Sequence, residues 1–479
     1  MANKKWLIIR AMGSALAIAL LLFGLVGHVI APATAAGVRI LRGPYLQDVT
    51  PTSAEVCWQA NVVHSATVAY GLTSDYDSAM ATDKEDQNHC VRLEGLRPYT
   101  QYHYQVRTGD ETLAPDATFR TLAGLEQQSI HFVAWGDHRS NPSIHHQLAD
   151  VVKATDPDFV VDVGDLVDSG TSMSWWSTFF IAEHDLLATA PVYPALGNHE
   201  QNSPLYFSLF SLPGNERWYS FDSGPAHFVS LDVASSNYKP GSEQYNWLLR
   251  DLQDTMRPWK IVYMHYPAYA YAPVGGSVQA IRDYLVPLFE MYGVQLVLSG
   301  HDHFYQRNVV NGVTYVVTGG GGAPLYPVGV GSTTVYAEST YEFMKISIAG
   351  PTLSSVAVRL DGSEFDSFNL TAPPVGRAQT PAAMPTAHTM RAPTAPSPMA
   401  TPEPATVATH ALPTAAESPA TSGTSSTPPT PVRIVTGGVA TIGVGLLAWK
   451  GFRRHSRQPE KGDDEEEDEG DPQDYQVNS

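Results

Sequence analysis

Five stretches of this chain run from apolar residues straight into side chains that can do chemistry. Trp135 is followed by Gly136-Asp137-His138-Arg139, and Val163 by Gly164-Asp165-Leu166-Val167-Asp168. Leu196 is followed by Gly197-Asn198-His199-Glu200, Met264 by His265, and Ser299 by Gly300-His301-Asp302-His303. A buried strand that stops at a polar group delivers that group to a rim where a ligand can reach it. Taken one at a time, each tip has a plain explanation, an N-cap Asp or Asn, or a core histidine with its partner. Taken together, Asp137, Asp165, Asn198, His265, His301 and His303 supply carboxylate, amide-oxygen and imidazole ligands for two metal ions. A carboxylate can bridge two cations, and imidazole suits iron, manganese or zinc better than calcium or magnesium. Two such cations about 3.5–4 Å apart can clamp a phosphate oxygen and generate hydroxide near neutral pH.

The elements that carry these tips alternate. From residue 128 to 370, buried β-rich runs are separated by helical stretches, which predicts an α/β domain. Helices are expected over about 142–154, 175–187, 242–252 and 278–292, with Pro142 well placed at a helix start. The glycine run 319–322 reads as a set of bends rather than a phosphate cradle.

Residues 38–123 differ. Short alternating runs such as Glu55–Ala60, Ala66–Gly71 and His103–Val106 are separated by turn residues, the pattern of a small all-β sandwich with Trp58 in its core. The chain's two cysteines, Cys57 and Cys90, both fall here. In an exported protein an isolated pair forms a disulfide, and strand alternation sends both to the same outer face if Trp58, Val91 and Leu93 point inward. Nothing here looks catalytic, so the expected role is a spacer or docking module.

The ends carry targeting signals. Residues 1–36 read as a signal peptide, with Lys4, Lys5 and Arg10 near an apolar stretch that ends in small residues. Residues 371–431 are rich in Pro, Thr, Ala and Ser and cannot build a core, so they form a stalk. Residues 432–450 are expected to be a transmembrane helix. Its uncharged stretch from Ile434 to Trp449 is followed by Lys450, Arg453, Arg454 and Arg457, a positive-inside signal. Residues 451–479 would be an acidic cytoplasmic tail. The whole therefore reads as extracellular, on the face of the membrane. The net charge of −19 argues against a nucleic-acid partner.

The series GDHR, GDLVD, GNHE, VYMH and GHDH resembles that of the calcineurin-like metallophosphoesterases. With the preceding sandwich, which is fibronectin type III-like around Leu96–Tyr102, the chain is most similar to their purple acid phosphatase branch. The resemblance implies a catalytic β-sandwich flanked by helices (α/β/β/α). It implies that Asp137 and His303 hold one metal, that Asn198, His265 and His301 hold the other, and that Asp165 bridges them. The cofactors would be two ions of iron, manganese or zinc. His199 matches the residue that protonates the leaving oxygen or steadies the phosphoryl group, and Tyr305, just past the last ligand, would line the substrate cleft. The sequence departs from the pattern twice. Arg139 stands where many members have a histidine, and Asp168 where the purple branch has a tyrosine. Arg139 could fork onto substrate phosphate, or could pair structurally with Asp168 or Asp162. The implied function is hydrolysis of phosphate monoesters by metal-activated hydroxide. The alternatives are a phosphodiesterase, or an inactive surface-binding protein on the same fold.

Overall fold

The computed structural model describes residues 37–372, except Asp83, Pro273 and Val274. The expected signal peptide, the stalk beyond Ala372, the membrane span and the acidic tail lie outside the described residues. Among those residues, no helix is long and apolar enough to cross a membrane.

The chain first folds into seven strands: β1 (Ile40–Gln47), β2 (Ser53–His64), β3 (Thr67–Gly71), β4 (Ser78–Ala81), β5 (Asp86–Glu94), β6 (Gln101–Thr108) and β7 (Glu111–Arg120). They make two antiparallel sheets, ordered β1-β2-β5 and β4-β3-β6-β7. Trp58 is buried and stacks on His89, its cross-strand neighbour. Cys57 pairs directly with Cys90 across β2 and β5, and the two are joined as a disulfide. Cys57 does not lie on an open face, because it also pairs with Tyr45 of β1 and is buried.

This sandwich is not a detached spacer. One hydrophobic core runs through it and into the following domain, with the Tyr45 ring 4.8 Å from that of Phe180. Three buried tyrosines cross the seam. Tyr45 Oη donates to the Leu209 carbonyl at 3.2 Å, Tyr104 Oη to Ala188 at 2.8 Å, and Tyr193 Oη back to Val49 at 2.5 Å. A tyrosine can bury its ring and still satisfy its hydroxyl, which suits a seam of this kind.

The second region holds thirteen strands: β8 (Ser129–Trp135), β9 (Phe159–Asp162), β10 (Val192–Pro194), β11 (Tyr219–Ser223), β12 (Ala226–Leu231), β13 (Trp259–Met264), β14 (Leu296–Ser299), β15 (Tyr305–Val310), β16 (Val313–Thr318), β17 (Thr334–Glu338), β18 (Glu342–Ala349), β19 (Thr352–Arg359) and β20 (Glu364–Thr371). Two mixed sheets result, β10-β9-β8-β18-β19-β20 and β11-β12-β13-β14-β16-β15-β17. Their inner faces meet through Phe132 and Phe159 of one and Phe228 of the other, with ring centroids 5.1–5.3 Å apart. Alternation turns the other side chains outward. Val229, Leu231, Val262, Met264 and Val297 pack against Leu248, Leu252, Ile281, Leu285 and Phe289 of the covering helices.

Those helices follow local rules. Pro142–Lys153 opens on an Asn141 cap with Pro in its first turn, and buries His145, Leu148, Ala149 and Val152, one face at helical spacing. Ser242 caps Glu243–Asp254 in the same way. Two helices expected to be continuous are broken. Residues 173–187 divide into Met173–Ala182 and His184–Leu187 around the buried Glu183. Residues 279–291 divide at Leu285, where Pro287 cannot continue the ladder and begins a new helix, Val286–Met291.

Candidate metal centre

The parallel strands β8, β9 and β10 point the same way in one sheet, as do β13 and β14 in the other. Their carboxyl ends reach a common edge, the usual place for a ligand in an α/β sheet. The backbone ties the tips together. Asp137 N donates to the Gly164 carbonyl at 2.9 Å, His138 N to Asp165 at 3.1 Å, and Gly300 N to His265 at 2.9 Å. Asp137, Asp165 and His301 take φ values of 60°, 58° and 69°, a region side chains rarely adopt. Strain of this kind persists where the surroundings over-determine the backbone. Gly300 must be glycine on space alone, since a Cβ there would collide with Asp137 Oδ2.

Acceptor atoms converge on this edge. Asn198 Oδ1 lies 3.0 Å from His265 Nε2 and 3.1 Å from His301 Nδ1. Asp165 Oδ1 lies 3.3 Å from His265 Nε2. His265 Nδ1–H donates to the Val163 carbonyl at 3.0 Å, which leaves Nε2 as the lone-pair nitrogen of the neutral ring. His303 Nδ1–H likewise donates to the Pro324 carbonyl at 2.7 Å, and its Nε2 faces Asp137 Oδ1 at 3.6 Å. An amide oxygen, a carboxylate and two imidazole nitrogens that face one another fit a cation among them. Asp165, His265 and His301 each place a ligand atom within 4.8 Å of the others.

The electrostatics agree. Burial lowers His301 and His303 to about 4, so both rings are neutral and free to donate lone pairs. Burial works against charge on His265 too, but Asp165 beside it outweighs this and raises it to about 10, so this ring holds a proton that a bound cation would displace. For Asp165 burial is likewise outweighed, by His265, and its carboxyl sits below the usual range. Burial, with Asp165 adding to it, pushes Asp137 well above that range. The site thus binds positive charge strongly.

His199 stands at the rim. Its backbone N donates to Asp165 Oδ1 at 2.9 Å, its Nδ1–H to the Asp168 carbonyl at 2.7 Å, and its Nε2 lies 3.8 Å from Asp165 Oδ2. Arg139 reaches toward both possibilities left open by its sequence. It sits 3.6 Å from Asp168 Oδ1 and 3.5 Å from Asp165 Oδ2, and its Nη2 donates to His303 Nε2 at 3.3 Å. Asp162 is not its partner, because the Asp162 carboxylate is taken by His138 Nε2.

Tyr305 is a correction. It is fully buried on β15, between β16 and β17, and its hydroxyl donates to Asp366 at 2.8 Å. Arg307 forks onto the same carboxylate at 2.7 and 2.9 Å. Both therefore face away from the cleft. The aromatic rings that meet the histidines are Tyr326, stacked 4.0 Å from His303, and Tyr266, edge-on 4.6 Å from His301. Tyr266 directly follows His265 and could have been noticed, whereas Tyr326 comes from a distant loop.

Glu200, the last residue of the Gly197–Glu200 tip, fastens the strand ends. Its buried carboxylate accepts from Gly197 N at 2.7 Å, Leu166 N at 2.9 Å and Asp165 N at 3.0 Å, tying two tips together. A second buried group lies behind Asp137. His138 pairs with Asp162, and His145 Nε2 with Glu183 Oε1 at 2.8 Å, so each imidazole has its acid.

Comparison with known families matches residues 130–305 to the calcineurin-like phosphoesterases and residues 44–121 to the purple acid phosphatase N-terminal domain. Purple acid phosphatase 15 of Arabidopsis thaliana is 29% identical over 291 residues, covering 49% of this chain and 53% of its own length. Acid phosphatase type 7 of Homo sapiens is 29% identical over 248 residues, covering 46% and 56%. Probable inactive purple acid phosphatase 1 of Arabidopsis thaliana is 26% identical over 353 residues, covering 59% and 57%. The chain thus spans little more than half the length of these relatives. Among solved structures, the purple acid phosphatase PPD1 from yellow lupin (Lupinus luteus) seeds superposes with a TM-score of 0.62 at 20% identity, over 69% of this chain and 74% of its own. That likeness is one of fold. Purple acid phosphatases are binuclear metal enzymes, and the oxygen and imidazole donors gathered here suit iron, zinc or manganese. The chain carries a calcineurin-like phosphoesterase domain behind a purple acid phosphatase N-terminal domain, and its relatives include purple acid phosphatases.

Proposed function

We propose that this protein is an exported, membrane-tethered metal-dependent phosphatase that hydrolyses phosphate monoesters. The observation that carries the activity is the convergence of Asn198 Oδ1, Asp165 Oδ1, His265 Nε2 and His301 Nδ1 at one sheet edge. Export and tethering rest on the sequence of residues 1–36 and 432–450. Asp137 and His303 would hold one ion and Asn198, His265 and His301 the other, with Asp165 shared. When bound, the two ions supply Lewis acidity to the phosphoryl oxygens and lower the pKa of water. The chain's own residues do the rest. Arg139 offers a guanidinium to the phosphate oxygens from the rim. His199 keeps Nδ1–H on the Asp168 carbonyl and turns Nε2, the atom that would carry the proton for the leaving group, into the cleft. As water forms its bond to phosphorus and sheds a proton, the bond to the leaving oxygen breaks and that oxygen takes the Nε2 proton; the proton from water then restores His199. The Tyr266 and Tyr326 rings restrict where the leaving group can sit.

Turnover of p-nitrophenyl phosphate and of its bis ester, with and without chelator, tests this. Monoester hydrolysis that chelator abolishes and added metal restores is expected. Failure of metal-loaded protein to turn over any phosphoester would favour a binding role. Asp165→Asn should lose metal and activity while keeping its circular dichroism spectrum. Retention of both metals with near-wild-type kcat would sink the assignment.

A further inference from the structure

The two halves of the site are not equivalent, and Arg139 makes the difference. On one side Asn198, His265, His301 and Asp165 Oδ1 form four donors whose atoms lie 3.0–3.3 Å apart in successive pairs. No arginine or lysine enters that set among the described contacts. On the other side are Asp137, His303 and Asp165 Oδ2. Both Asp137 oxygens already accept from His301 N, at 2.9 and 3.1 Å. His303 Nε2 accepts from Arg139 Nη2 at 3.3 Å, and Asp165 Oδ2 lies 3.5 Å from Arg139 Nε. A guanidinium therefore touches two of the three donors on this side. It has no lone pair to give and does not lose its charge. The Asp168 carboxylate that could neutralise it is 3.6 Å away and already accepts from Ser140 Oγ. The Arg139 side chain is only 16% exposed, so water screens it weakly.

We propose that the two metal positions have unequal affinity. The Asp165–Asn198–His265–His301 position fills first, the Asp137–Asp165–His303 position fills last and exchanges readily, and Arg139 sets the gap between them. The proposal rests on the two-metal reading above. Linkage gives a corollary. An anion that draws the guanidinium onto itself relieves its repulsion, so inorganic phosphate strengthens the second metal position, and that metal strengthens phosphate by the same factor.

The test is metal stoichiometry, with no assay of turnover. Full-length protein is stripped with chelator and dialysed against stepped free Mn2+ or Zn2+, and bound metal per chain is measured by mass spectrometry. Wild type should show two steps whose midpoints differ by about 10-fold or more, since a fixed charge this close to a divalent ion is felt strongly. Arg139→His, which restores a ligand-bearing side chain, should draw the midpoints together by lowering the second. Arg139→Ala should narrow the gap less, and Arg139→Lys should keep it. Saturating inorganic phosphate should lower the second midpoint in wild type by more than in Arg139→Ala, where only its contacts with the ions would remain. A single wild-type step of two equivalents overturns the proposal without any variant, as does a gap unchanged in both Arg139→His and Arg139→Ala. Wild type that takes up no metal, or Asp165→Asn that keeps both steps, refutes the two-metal reading and the proposal with it.

Discussion

His199 offers its two ring nitrogens to different tasks. Nδ1 is spent on the Asp168 carbonyl, and Nε2 faces the cleft beside Asp165. If it moves a proton, His199→Ala should lower kcat by roughly 10²–10⁴-fold for an alkyl phosphate. The loss should be much smaller for p-nitrophenyl phosphate, whose leaving group needs little protonation. Equal losses on the two substrates would assign His199 to charge stabilisation instead. The residue types at the site and their order along the chain were legible, because each followed an apolar run that could only be a buried strand. Direction was not. Tyr305 sits two positions past His303, yet its hydroxyl is claimed by Asp366, which is 61 residues away in sequence. No local pattern announces such a partner. Tyr326 was hidden for the same reason, since its place beside His303 depends on the path of a loop that also bonds Tyr326 N to the His303 carbonyl.

At the scale of elements, strand ends were readable and their fastening was not. Glu200 closes three backbone N–H groups from two separate tips with one buried carboxylate. Glu200→Gln replaces one acceptor oxygen by a donor that would face those amides. The expected cost is about 1–3 kcal/mol in urea unfolding, with weakened metal retention as the Asp165 tip moves. Unchanged stability together with unchanged metal content would show that the tips hold their positions without it. The helices teach a related lesson. A helical stretch read over 175–187 or 278–292 does not by itself reveal a break within it. Pro287 is a visible breaker inside the stretch expected to be one helix, and it opens a new one. The break at Glu183 was less visible, since it accompanies a buried acid paired with His145 from another helix.

At the scale of the molecule, pH acts through places far from the metals. His227 on β12 is nearly buried between Asp222 at 2.7 Å and Asp251 at 2.8 Å. Burial opposes its charge, but bonds to the two carboxylates outweigh this and raise it to about 9. A folded value above the ordinary 6.5 adds stability that is complete below about pH 6.5 and is lost as pH rises through about 9. The shift corresponds to roughly 3 kcal/mol. His227→Gln should therefore lower Tm clearly at pH 6 and much less at pH 10, where the wild-type ring has shed its proton. An equal deficit at both pH values would mean that shape, not charge, is what His227 provides. The two-region layout could be read from composition and strand spacing. The continuity of the core across the seam could not, since the alternation that marks an inner face does not say which neighbour covers it.

Three of the bonds across that seam run from phenol hydroxyls to backbone carbonyls, at Leu209, Ala188 and Val49. A carbonyl is present whatever side chain the residue bears. Substitutions at those three acceptor positions can therefore accumulate without touching the bonds, provided the backbone keeps its course. The tyrosines have no such freedom, because loss of a hydroxyl leaves a buried carbonyl without its donor. Each of these three bonds is thus written at one end in a side chain and at the other in chain path alone. A change of one residue in the length of a connecting loop would disturb it more than many changes of residue type.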